Sequence, residues 1–307
     1  MNRDENAVHQ AILERPAKLL SNDQRQKYFA DGYLGAEGLV DATWLERLWS
    51  VTEEFVEISR TLVNQSKRDR RFDLEPDHSS EVPRIRRLNS PVDNHEVYWE
   101  FASLGPFVDI AEDLLGPNVK FHHSKLNFKW SGGGEAVKWH QDIQFWPHTN
   151  YDVLTIGVYL DDVTDEMAPM GVIPKSHDGP LYDLYDESGQ WTGNIQDAEV
   201  GKLGIEQAEY LGGAAGAITV HNCRSIHGSP PNLSERPRPL LLCAYSCADA
   251  LPITGNTGGR GKHGEEIVRG EASRVARFDP RPVPLPPDWS KVGYKSIFEH
   301  QKSGLES

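Results

Sequence analysis

From Val119 onward the sequence is a succession of short apolar runs, at 119–130, 136–145, 152–160, 171–173, 214–221 and 239–247, separated by Gly, Pro, Asn and Asp. Runs of this length bounded by turn formers make strands, and a series of them makes an all-β sandwich or barrel. The residues ahead of Val119 follow a different period. Asp41 is placed to cap a helix whose Trp44, Leu45, Leu48, Val51, Phe55, Ile58 and Leu62 recur at spacings of three and four, an apolar stripe for packing. Ser21-Asn22-Asp23 can start a shorter helix ended by Asp31-Gly32, Asp93-Asn94 a third reaching Leu104, and Pro106 a fourth stopped by Gly116-Pro117. Residues 1–20 read as a loose arm. The expected fold is mainly β with N-terminal helices, around a double-stranded β-helix (jelly roll, cupin-like) core. A single domain over 1–307 would then comprise a helical part (1–118), the core (119–250) and a C-terminal extension (251–307) that wraps the sheet rather than adding to it. The segment 176–213, rich in Tyr, Asp and Gly, is long for a loop and suits a cover over a site. Gly132-Gly133-Gly134 lacks the strand-to-helix setting of a phosphate loop and reads as a turn.

Charge narrows the partners. A formal net charge of −14 and a pI near 5.3 argue against nucleic acid, whose phosphates need a basic surface. Three cysteines without CxxC spacing indicate neither a disulfide framework nor a structural zinc site. The polar start Met1-Asn2-Arg3-Asp4-Glu5-Asn6 has no apolar leader, and no run approaches a membrane span. A cytoplasmic protein acting on a small molecule, with no nucleic acid or membrane partner, is the plain expectation; the oligomeric state is not legible.

Within the β region stands Trp139-His140-Gln141-Asp142, and His140 is the only histidine of twelve followed two residues later by Asp. On an extended segment such a pair projects from one face. A second imidazole would complete the two-histidine, one-carboxylate set that holds a metal and leaves positions open for other ligands. His227, in Ile226-His227-Gly228-Ser229 after the strand-like Ala217–Val220, is the better candidate, and His221 the alternative. Arg238, opening the run Pro239–Leu242, could clamp a carboxylate with its planar fork, with Arg236 as its rival. Trp146 could stack on a substrate or merely end a strand, and Lys125 could meet a substrate carboxylate or a salt-bridge partner. His122, His123, His148 and His177 make the neighbourhood histidine-rich without reading as ligands. The basic knot Arg84-Ile85-Arg86-Arg87 is either a solvated loop or an anion contact at the site mouth.

These residues carry a resemblance to the phytanoyl-CoA dioxygenase family of Fe(II)/2-oxoglutarate oxygenases, including its ectoine hydroxylase branch. It runs from Asp31-Gly32-Tyr33 through Ser124–Lys129, Trp139–Asp142 and Gly171–His177 to His227-Gly228-Ser229, Asn232 and Arg238. The resemblance implies a jelly roll with iron on His140, Asp142 and His227, and the distal carboxylate of 2-oxoglutarate on Arg238. It also implies co-substrate contacts at Asn127, Thr155 and Ser229. Trp146, Lys125 and His221 are then substrate-side candidates. The implied activity is hydroxylation of a small metabolite at a C–H bond, with O2 as co-substrate and 2-oxoglutarate converted to succinate and CO2. Met167-Ala168-Pro169-Met170 departs from the family's usual Asn-Gly-Pro turn, and 176–213 and the tail past 255 have no obvious counterpart in it. Two other readings use the same residues: a non-oxidative cupin-type metalloprotein, such as a zinc hydrolase or isomerase, or a degenerate binding module. The first leaves Arg238 without a task and the second leaves the filled ligand positions unexplained. The acidic balance and the aromatics near the motif suggest a small polar or cationic substrate rather than a fatty acyl-CoA.

Overall fold

The structure, a computed structural model, describes residues 3–62, 69–131, 136–254, 261–292 and 297–303; the triple-glycine turn at 132–134 lies outside them. The strands are β1 (Tyr33–Ala36), β2 (Phe72–Leu74), β3 (Ile85–Asn89), β4 (Val119–Asn127), β5 (Val137–His140) and β6 (Val153–Tyr159). They continue as β7 (Met170–Val172), β8 (Glu209–Leu211), β9 (Ile218–Asn222), β10 (His227–Ser229), β11 (Leu240–Cys247) and β12 (Ile267–Arg269). Two antiparallel sheets result, and they form a double-stranded β-helix. The larger follows the order β1-β9-β6-β11-β4-β3-β2 with β12 also on β4, and the smaller the order β5-β10-β7-β8.

The helices are α1 (Arg3–Leu13), α2 (Asn22–Asp31), α3 (Ala42–Ser59), α4 (Pro91–Asn94), α5 (Glu96–Leu104), α6 (Pro106–Leu115), α7 (Asp197–Val200), α8 (Trp289–Val292) and α9 (Ile297–Ser303). Local chemistry sets their ends as the sequence suggests: Ser21 caps α2 in a capping box, Asp41 caps α3, and Gly32 closes α2 in the left-handed conformation (φ 80°). The stripe of α3 buries Leu48, Val51 and Phe55, and Phe101 of α5 meets Phe107 of α6 with ring centroids 4.7 Å apart. Full burial of each such side chain contributes about 1.5–3 kcal/mol, which fixes the helical layer on the larger sheet.

Three expectations need correction. Residues 1–20 are no loose arm: α1 occupies 3–13, and the N–H groups of Lys18, Leu19 and Leu20 donate to the buried Asp113 carboxylate at 2.6, 2.9 and 2.8 Å. The N-terminal part is not purely helical either, since β1, β2 and β3 extend the larger sheet; these runs are short and carry no clean alternation. The C-terminal extension does add to the sheet. Strand β12 pairs with the start of β4 (Ile267↔Lys120), while β3 pairs with its end (Arg87↔Asn127). Helix α9 then returns to β5, where Gln301 accepts the Lys138 N–H at 3.0 Å and donates to Gly193 O at 3.2 Å.

The 176–213 segment is a packed wall. Leu184, Trp191, Ile195 and Leu203 form an apolar cluster with Ile173, Ile226 and Trp289. Gln141 and Gln144, beside the candidate site, fasten it by donating to Pro180 O (3.0 Å) and Tyr182 O (2.8 Å). Among the described residues no helix is long and apolar enough to cross a membrane.

Candidate metal centre and co-substrate site

His140 ends β5 and His227 opens β10, and the two are directly opposed in the antiparallel register. The glycine after His227 makes this approach possible: a Cβ on Gly228 would lie 2.7 Å from Val137 O and 3.3 Å from the Trp139 ring. Gln141 remains extended (φ −127°, ψ 121°), so His140 and Asp142 share a face although the strand has ended and Asp142 already opens a 3-10 turn. His140 Nε2 and His227 Nε2 lie 3.7 and 3.8 Å from Asp142 Oδ1. Two ligand atoms at right angles around one metal, each about 2.1 Å from it, are about 3 Å apart, so small rotations bring the three donors into a first coordination shell.

Both imidazoles are held from behind. Nδ1 of His140 contacts Lys138 O at 2.8 Å and Nδ1 of His227 contacts Ser225 O at 3.0 Å. A ring donating from Nδ1 to a carbonyl keeps its Nε2 lone pair for a metal. Thr155 donates to Asp142 Oδ2 at 3.1 Å, and His221 Nε2 lies 3.3 Å from the same oxygen, so Oδ1 is left for the metal. Burial pulls His140 down to about 4 and His227 well below the ordinary imidazole value. Burial alone would raise Asp142, but the Lys125 charge, the His227 imidazole and the His221 hydrogen bond outweigh it and hold the carboxyl well below its usual range. Two neutral imidazoles and one carboxylate are the protonation states a divalent metal requires. The donor set fits.

A second group of side chains lies where β4 ends and β11 begins. Arg238 is 3% exposed, its backbone N–H donates to Phe128 O at 2.7 Å, and its guanidinium carbon lies 5.6 Å from the Tyr159 ring centre. Its Nε is buried and unpartnered, and no acid pairs with it among the described residues. Lys129, just past β4 and in the left-handed region (φ 42°), contacts the Ser229 hydroxyl and, at 3.2 Å, Ser229 O. Burial and then the Arg238 charge push its ammonium down to about 6. A buried guanidinium without an acid, beside an amine that an arriving anion would charge, suits the group to a carboxylate. Arg236 is excluded from it, being exposed and paired with Asp161, while Asn232 pins its carbonyl at 2.7 Å.

The remaining candidates distribute as follows. Lys125 and Asn127 share the inward face of β4 with His123. Asn127 Oδ1 accepts from Arg87 Nε at 2.9 Å, so the basic knot resolves into three fates: Arg84 pairs with Asp77, Arg86 with the buried Glu75, and Arg87 turns inward. Trp146 is buried among His122, His123 and His148, with centroids 5.3, 5.7 and 5.9 Å away. His122 and His148 also approach Glu265 in a polar network linking β4 to the C-terminal segment. His177 contacts Phe29 O at 3.3 Å, away from the donor set. Lys129 is the site-facing residue to which reading for motifs gave no role, the alternation Lys125, Asn127, Lys129 being its available signal; Arg87 belongs to the basic knot, for which an anion contact was one of the two readings.

Imidazoles facing across two strands of a double-stranded β-helix, a carboxylate beside them and a buried basic pocket nearby define a 2-oxoglutarate-dependent dioxygenase. The phytanoyl-CoA dioxygenase (PhyH) family pattern matches residues 28–240, and the chain belongs to that family. It is 31% identical over 283 residues to a probable alpha-ketoglutarate-dependent hypophosphite dioxygenase of Stutzerimonas stutzeri, covering 92% of this chain and 97% of the relative. It is also 31% identical to the L-proline trans-4-hydroxylase of Streptomyces griseoviridis, over 68% of this chain and 84% of that one. The crystal structure of EctD from S. alaskensis with bound Fe shares the fold, with a TM-score of 0.66 and 20% identity over 84% of this chain and 90% of that chain. The protein is thus an enzyme that uses Fe(II), 2-oxoglutarate and O2 to hydroxylate a small molecule.

Proposed function

We propose that His140, Asp142 and His227 hold the Fe(II), and that Arg238, with Lys129 and Ser229, receives the distal carboxylate of 2-oxoglutarate. The observation that carries this is a pairing of two sites. Three deprotonated donors converge with their second atoms already engaged, and a buried guanidinium without an acid stands on the neighbouring strands. When bound, the iron supplies activation of O2 and oxidative decarboxylation of the 2-oxo acid. The chain's own residues do the rest. Thr155 and His221 hold Asp142 so that one oxygen faces the metal. Arg238 orients the co-substrate, and Phe145 against His140 (5.7 Å) with Trp191 behind it (5.4 Å) excludes water.

The net reaction is R–H + O2 + 2-oxoglutarate → R–OH + succinate + CO2. With Asp142 there to hold the metal, the position a halide would need would be taken, and the group delivered would be hydroxyl. The substrates named for the relatives span an inorganic oxyanion and an amino acid, so a compact metabolite is the reading they support. The whole chain acts as one domain, in the cytoplasm and without nucleic acid. Iron-dependent succinate formation from 2-oxoglutarate tests the reading; turnover supported by zinc without 2-oxoglutarate would replace it with a hydrolytic one.

A further inference from the structure

Beside the donor set, on the inward face of β3 and β4, the structure holds more positive charge than iron and 2-oxoglutarate can use. Arg87 and Asn127 are opposed in register, and Arg87 is 3% exposed. Of the five N–H donors a guanidinium carries, one is spent on Asn127, and the Phe298 ring of α9 covers the group at 5.0 Å. Lys125 stands two residues before Asn127 on the same face; its charge helps to hold the Asp142 carboxyl down, while burial lowers its own ammonium. Neither Arg87 nor Lys125 has an ion pair among the described residues. His123 on that face is neutral, burial and Lys125 having brought it down to about 3.

The charges sum simply. Fe(II) with Asp142 carries one net positive charge, which the C1 carboxylate of 2-oxoglutarate balances. Arg238 balances the distal carboxylate. Beyond Arg238 and Lys129, Arg87 and the half-buried Lys125 remain; Asp73 opposes Arg87 in register but makes no ion pair with it, and a buried guanidinium left without a counter-charge is costly unless a ligand supplies one.

Resting on the function proposed above, we infer that the primary substrate is a compact anion whose oxyanion group, a carboxylate or a phosphorus oxyanion, seats on Lys125 and Arg87. The reacting hydrogen must sit beside the metal while the oxyanion group sits on the inward face of β4, so both belong to one compact molecule. Of the polar or cationic substrate expected from overall composition, the cationic alternative is disfavoured here, since this face of β3 and β4 carries Arg87 and Lys125.

The test uses full-length protein loaded with Mn(II) and 2-oxoglutarate without O2, so that binding is read without turnover. Calorimetric titrations with hypophosphite, methylphosphonate and isobutyrate are compared with L-proline and choline. The inference expects binding of at least one of the three anions and none of choline. Lys125→Gln should weaken that anion about tenfold, the loss of one charge-assisted hydrogen bond, and weaken 2-oxoglutarate clearly less than the anion. Arg87→Gln should act likewise and Arg87→Lys should recover part of the loss, with thermal unfolding confirming that each variant is folded. The inference is overturned if no anion binds, if choline or L-proline binds better, or if Lys125→Gln leaves anion affinity intact. It is also overturned if both variants weaken 2-oxoglutarate as much as the anion, which would assign the pair to the C1 carboxylate. Failure of Mn(II) and 2-oxoglutarate to bind at all would instead remove the reading on which it rests. The phosphorus and carboxylate titrations separate the two sources of the oxyanion.

Discussion

Replacing Lys129 by Met keeps the length of the side chain and removes the ammonium that contacts Ser229 beside Arg238. The size of the effect follows from the depressed ammonium, which burial and Arg238 bring down to about 6. An arriving carboxylate favours the charged form and raises the value in the complex. Below pH 6 the lysine is already charged and binding needs no proton. Above it a proton must be taken up, and each pH unit costs about 1.4 kcal/mol. A charge-assisted hydrogen bond is worth roughly 1.5–3 kcal/mol. Lys129→Met should therefore weaken 2-oxoglutarate by about 10- to 100-fold at pH 6 and by little at pH 8, where protonation consumes roughly 2.7 kcal/mol. Titration of 2-oxoglutarate into Mn(II)-saturated, O2-free protein at pH 6, 7 and 8 gives the wild-type to variant ratio, from which titrations common to both proteins cancel. An equal loss at all three values, or none at pH 6, refutes the reasoning.

Other outcomes follow from the same contacts. Arg238→Ala leaves a buried carboxylate without its fork and should cost about 2–5 kcal/mol of 2-oxoglutarate affinity, read in the same titration, whereas Arg236→Ala should change it little. Gly228→Ala forces a Cβ against Val137 O and so parts β10 from β5; metal binding should fall together with activity, and metal affinity equal to wild type would contradict that reading. Asp113→Ala removes the acceptor of three N–H groups at 18–20 and should lower stability by roughly 2–4 kcal/mol, measured by denaturant unfolding, without altering metal affinity.

The convergence of His140, Asp142 and His227 was legible because it rests on local period: a single His-x-Asp, and a histidine followed by the small residues a close strand pair demands. Even there the sequence did not show that the strand stops at His140, since one extended residue, Gln141, preserves the alternation across the boundary. Arg238 was legible through its position before an apolar strand, and the exclusion of Arg236 was not, because its partner Asp161 is 75 residues away. Lys129 drew no role for the same reason, its contact being Ser229 in the other sheet. The knot at 84–87 could be seen, but which arginine turns inward depends on Asp77 and Glu75 taking the other two. The strands β1 to β3 and β12 have too few residues for a period to emerge, and the sheet edge they join is what makes them strands.

The central claim, that His140, Asp142 and His227 hold iron for 2-oxoglutarate-coupled oxygenation, is tested most directly by turnover under 18O2. The wild type with Fe(II) and 2-oxoglutarate should form succinate carrying one labelled oxygen. His140→Ala, Asp142→Ala and His227→Ala should each lose Fe(II) binding and succinate formation while remaining folded, and His221→Ala should still bind Fe(II). Unlabelled succinate, or labelled succinate at the wild-type rate from His227→Ala with loss in His221→Ala, would contradict the account.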